Sequence, residues 1–130
     1  MRVKAVDKHL YLNYLKKAEE FLQQSVKAIE DKKWNVAVSL AIHSGICAAD
    51  ALCISKIGVR GSGESHEEVA QVINKLNLRD SNIKTRQLLN LLDFKNSAEY
   101  SEDLMNEKDA LSAKQNAERF LSWVKENLKK

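Results

Sequence analysis

Residues 35–57 are apolar on nearly every side of the helix they predict, and a helix without a polar face has to be covered all round by other helices. Ala37, Leu40, Ala41, Ser44, Ala48, Ala51 and Leu52 fall on one line, and Ala41, Gly45, Ala48 and Ala49 are small enough to let neighbours approach closely. Gly45 costs about 1 kcal/mol of helix propensity relative to alanine, so close packing is expected there as compensation. The segment therefore predicts the central element of a helical bundle. No proline interrupts the 130 residues, so long helices are permitted throughout. At 44% hydrophobic and 30% charged the chain can form one ordinary core, which makes residues 1–130 a single domain. Repeats, low-complexity tracts and strand-like alternation are absent from the pattern.

The covering helices are legible on either side. Asp7 is suited to cap a first helix reaching about residue 33, with Leu15, Ala18, Leu22, Ser25 and Ile29 at three- and four-residue steps. Ser65 and Glu68 read as a capping box opening a short helix over residues 65–76, which puts His66 in its first turn. A fourth helix starts at Asp80 or Ser81, carries Leu88, Leu91 and Leu92 on one side and continues to about Tyr100. After the polar break at 101–103, Asn106 is a suitable cap for a last helix striped by Ala110, Ala113, Ala117, Phe120 or Leu121, Val124 and Leu128. The fold class is all-α, an up-and-down bundle of four long helices plus one short helix.

A formal charge of +3 and a pI near 8.8 allow contact with phosphate but do not make the extended basic face of a dedicated nucleic-acid binder. Cys47 and Cys53 have neither redox nor metal-ligand spacing and read as buried thiols. No run of eighteen uncharged apolar residues and no signal-peptide pattern is present, so a cytoplasmic protein with no membrane partner is expected.

Three of the four glycines crowd into Gly58-Val59-Arg60-Gly61-Ser62-Gly63-Glu64-Ser65-His66, a deliberate break between two helices. Arg60 offers a planar cationic fork to a phosphate, and His66 can move a proton near neutral pH. Together they suit RNA cleavage. The neighbouring 2′-hydroxyl is the nucleophile, the histidine its base and the arginine the stabiliser of the phosphorane, with no metal or other cofactor required. Glu64, His66 and Glu67 are the nearest approach to a metal-ligand cluster.

Several polar residues stand in apolar surroundings. His43 and Asp50 lie seven apart on one face of the central helix, and an ionised Asp50 needs a cation or donors, for which Lys95 on the leucine stripe is the expected partner. His43 reads as a hydrogen-bonded core or interface histidine. His9 reads as surface, and Trp34 and Trp123 as packing at the bundle's ends.

In Trp34-Asn35-Val36-Ala37-Val38, Ala48-Ala49-Asp50-Ala51-Leu52, the glycine segment and Leu91-Leu92-Asp93-Phe94-Lys95-Asn96-Ser97-Ala98-Glu99-Tyr100, the chain resembles the HEPN domain family over about residues 9–128. The resemblance implies an all-helical protein interacting with RNA or a nucleotide, and a homodimer. A cognate antitoxin or a nucleotidyltransferase-like protein is the further partner it suggests. RNA-cutting members share an arginine, four to six residues and a histidine, a spacing that Arg60 and His66 satisfy with five residues between them. The arginine commonly opens a later helix as Arg-Asn, followed by histidine and tyrosine. Here the similar segment runs from Lys95 and Asn96 to Tyr100, with lysine for arginine and no histidine. Two expectations follow. One is a metal-independent endoribonuclease of toxin or defence type using Arg60 and His66, supported by Asp50, Lys95, Asn96 and Tyr100. The other is a non-catalytic module binding a nucleotide, RNA or a partner protein.

Overall fold

The computed structural model describes residues 3–61 and 67–129. A short strand β1 (Val3–Ala5) and a single 3-10 turn (Lys8–Leu10) lead into α1 (Tyr11–Glu30), which turns back into α2 (Trp34–Ile57). Strand β2 (Val59–Gly61) follows, then the short α3 (Glu67–Lys75), α4 (Ser81–Asp93), a π-helical segment (Asn96–Tyr100) and α5 (Glu107–Leu128). Four long helices and one short one form the all-α bundle that the periodicity predicts, with α2 at its centre.

Fourteen residues of α2 are buried, spread over all its sides. By length and composition this helix could cross a bilayer, and 72% of its apolar window is covered by the rest of the bundle. α1 and α2 come close because small residues meet along their seam. Ser25 Oγ donates to the Ala37 carbonyl at 2.7 Å and Ser44 Oγ to the Ala18 carbonyl at 2.8 Å. Both hydroxyls are fully buried, and each takes up a helix carbonyl instead of competing with water for it.

Gly45 shows what the lost helix propensity secures. A Cβ there would stand 2.7 Å from Leu91 Cδ1 and 3.4 Å from Leu88 Cδ1, both on α4 and both buried. Gly45→Ala gains about 1 kcal/mol of propensity but overpacks a filled core at a cost of about 1–3 kcal/mol. A net destabilisation of about 1 kcal/mol is expected, and a urea unfolding midpoint at or above the wild-type value would contradict it.

Elsewhere the chain corrects the sequence-based expectation. Asn106 caps α5 as expected and does so reciprocally: Asp109 N–H donates to Asn106 Oδ1 at 2.8 Å, and Asn106 N–H to Asp109 Oδ2 at 3.1 Å. Asp7 and Asp80 precede their helices without making a side-chain cap. The capping box at Ser65 lies outside the described residues. The fourth helix does not run to Tyr100; it stops at Asp93, and the wider π-helical turns rotate the chain so that Phe94 and Ala98 remain against the Ala37 to Ile46 part of the core. A two-stranded ladder that the pattern did not reveal accompanies the helices. β1 pairs antiparallel with β2 in the register Val3↔Gly61, Lys4↔Arg60, Ala5↔Val59, too short to carry an alternating pattern.

Candidate functional site

Gly58 ends α2 with φ +70, a left-handed conformation that favours glycine, and its carbonyl accepts from Val6 N–H at 2.8 Å. That turn starts β2 and sets Arg60 on the ladder, opposite Lys4. Directly opposed residues project to the same face of a ladder, so two cations stand side by side at the entrance to the glycine segment. The Lys8 stem is also packed within reach of Gly58, 3.6 Å from where a Cβ would be. Nothing in the spacing singles out Lys4 or Lys8, because their placement depends on the strand pairing.

Asp50 lies beneath this end. Its side chain is 5% exposed, and burial pushes its carboxyl up from 3.8 to about 6, against the opposing pull of the Arg60 charge and a hydrogen bond from the Gly61 backbone. Its Oδ1 has no hydrogen-bond partner among the described residues. The expected pairing with Lys95 does not form, since Arg60 and Gly61 occupy that role. Arg60 Nη1 donates to the Gly61 carbonyl at 3.0 Å, which ties the guanidinium to the strand end. Gly61 is itself tight against α3: a Cβ there would meet Val69 Cγ2 at 2.6 Å. His66, the intended partner of Arg60, lies outside the described residues, as does Glu64.

Lys95, Asn96 and Tyr100 belong to a different part of the molecule. Lys95 is half-buried, whereas Asn96 is exposed and Tyr100 is 73% exposed. Their segment packs near the first half of α2, where Glu99 Oε1 meets His43 Nε2 at 3.0 Å and accepts from Ser39 Oγ at 2.9 Å. The imidazole also packs against Phe21, with ring centroids 5.6 Å apart. His43 is thus hydrogen-bonded, as its place on the central helix led us to expect. Seven residues of helix separate it from Asp50, about 10 Å at 1.5 Å per residue. The structure therefore brings Asp50 to Arg60, and Glu99 to His43, at two levels of one helix. Sequence reasoning missed Glu99 although it stands beside Tyr100, because nothing local tells that a π-helical turn will aim it inward.

Cys47, between these two levels, is a free thiol that burial, reinforced by the Asp50 charge, pushes up to about 11. Cys53 is buried and pushed up to about 12 for the same reasons. Neither is a reactive thiolate at neutral pH. Trp123 serves packing as expected, with its indole Nε1 donating to the Arg79 carbonyl at 2.8 Å.

An all-helical bundle built round an apolar second helix, with a cation-bearing glycine segment between that helix and a short third one, defines the class of protein. Residues 11–127 match the HEPN domain, and the chain belongs to that family. The crystal structure of an archaeal HEPN homologue superimposes with a TM-score of 0.68 at 19% identity, covering 91% of this chain and 97% of that one. That likeness establishes the shared fold. Compared by sequence with curated proteins, the chain has no significant match.

Proposed function

We propose that this HEPN protein is a metal-independent endoribonuclease. The observation that carries the reading is Arg60, held by β2 beside Lys4 and over the buried Asp50, at the entrance to the segment that leads to His66. In this mechanism His66 takes the proton of a ribose 2′-hydroxyl, and O2′ attacks the adjacent phosphorus. Arg60 stabilises the charge that builds on the phosphorane oxygens, with Lys4 adding to the local positive field. The P–O5′ bond then breaks and O5′ takes a proton from water, leaving a 2′,3′-cyclic phosphate and a 5′-hydroxyl, while His66 returns its proton to solvent. Asp50 is a positioning residue, acting through the Gly61 amide and the Arg60 charge. The working unit is a homodimer, as a light-scattering mass of twice the chain would register.

Cleavage of single-stranded RNA in excess EDTA, followed by end-group analysis, tests the proposal. Wild-type protein is expected to leave cyclic phosphates, and His66→Ala and Arg60→Ala to lose about a hundredfold or more in rate, as removal of an acid–base group or an oxyanion stabiliser does. Undiminished cleavage by His66→Ala would remove that residue from the mechanism. The second reading, a non-catalytic module for RNA, a nucleotide or a partner protein, is favoured by Lys95 standing at the π-helical segment with no carboxylate at ion-pair distance among the described residues. Ligand binding that survives loss of His66, in a protein inert towards RNA, would establish it.

A further inference from the structure

Between them α3 and α4 enclose a groove of about 580 Å³, within the range of about 300–1,000 Å³ common for small-ligand sites. Its floor includes Ala70 and Leu89, and its rim carries Asn74, Asn82, Arg86 and Asn90. Asn82, Arg86 and Asn90 recur every four residues, so they share one face of α4. Asn74, on α3, is fixed from beneath. Ser81 Oγ, on a residue only 7% exposed, donates to Asn74 Oδ1 at 3.0 Å, and the Thr85 hydroxyl lies 3.2 Å from the same oxygen. With its carbonyl end engaged on the buried side, the exposed Asn74 is left with its amino group as an oriented donor towards the groove.

We propose that this groove takes an unpaired nucleobase. Side-chain amides match the mixed donor and acceptor edges of a base, a guanidinium plane can stack on its face, and the apolar floor suits the ring. Among the described residues, Arg86 and Asp93 are the charged ones lining it, one of each sign, a balance that suits a neutral base rather than a phosphate. Gly61, next to Arg60, packs on Val69 of α3, and Ala70, Gln71 and Asn74 of the same helix line the groove, so one strand can place a phosphate at Arg60 and a base here. This inference rests on the reading of the chain as an RNA-acting protein and adds what part of the substrate is recognised and where.

The test is a titration of the full-length, 15N-labelled protein with AMP, CMP, GMP and UMP, following side-chain amide signals, with ribose 5-phosphate as the probe that lacks a base. At least one nucleotide is expected to shift the Asn74, Asn82 and Asn90 signals, while ribose 5-phosphate leaves them in place. Asn90→Ala and Arg86→Ala, both at exposed positions, are expected to weaken that nucleotide at least fivefold with an unchanged helical spectrum. The proposal is overturned if no nucleotide moves these signals, if ribose 5-phosphate moves them equally, or if both variants bind as wild type does. Groove-dependent binding in a protein that cuts no RNA would sink the nuclease and keep the groove. His66-dependent cleavage without nucleotide binding in the groove would do the reverse.

Discussion

Phe120→Ala is expected to lower stability by about 3–5 kcal/mol, the cost of deleting a fully buried aromatic ring and leaving a cavity. Phe120 is 0% exposed and sits in the cluster that joins all five α-helices, against Trp123 at a centroid distance of 5.9 Å. The neighbours cannot collapse into the space easily, because Ala18, Leu52 and Val124 are held on separate helices and are themselves 0% exposed. Against a total of about 5–15 kcal/mol for a domain of this size, the variant loses about a fifth or more of its margin. Thermal unfolding should show a midpoint lower by about 10–20 °C. Leu111→Ala is the matched control on the same helix: its side chain is 45% exposed, and a change within about 0.5 kcal/mol is expected. Equal midpoints for the two variants would show that Phe120 is not at the centre of the core.

Asp50 should give the chain an unusual pH dependence. Its carboxyl ionises at about 6 in the folded protein against 3.8 for an unburied aspartate. Between those values the folded chain holds a proton that the unfolded chain has lost, so the residue's contribution to stability falls as pH rises through this window and stays low above it. The difference is worth about 2–3 kcal/mol between pH 4 and pH 7. Asp50→Asn removes the titration. Urea unfolding of both proteins at the two pH values should show wild type losing about 2–3 kcal/mol more than the variant on going from pH 4 to pH 7. Whatever constant effect the substitution has cancels in that comparison. Parallel pH profiles would mean that Asp50 keeps an ordinary carboxyl, and with it would go the picture of a buried charge beneath Arg60. Arg60→Ala removes the cation that opposes the shift, and so extends the fall to higher pH while its start near 3.8 stays in place.

The same carboxylate shows where reading the chain stops. That Asp50 is buried and in need of a counter-charge was visible in the apolar run around it. Which cation would meet it was not: the leucine stripe pointed to Lys95, and only the turn at Gly58, followed by the pairing of β2 with β1, carries Arg60 and the Gly61 amide over it instead. His43 was likewise recognisable as a histidine needing a partner, and its partner Glu99 is 56 residues away, delivered by a π-helical segment.

Side-chain spacing along the chain was enough for the helices: the central one from its uniform apolarity, the outer ones from their stripes, the start of α5 from Asn106, and the close approach at Gly45 from the cost of a glycine in mid-helix. These follow from interactions spanning a few residues, which the spacing of side chains records directly. Tertiary structure alone decided the neighbours of the polar groups: Lys4 beside Arg60, Asp50 under Gly61, Glu99 on His43, and the amide-lined groove between α3 and α4. Each depends on how separate elements are rotated and registered against one another, and that is set by the packing of the whole bundle rather than by any segment in it.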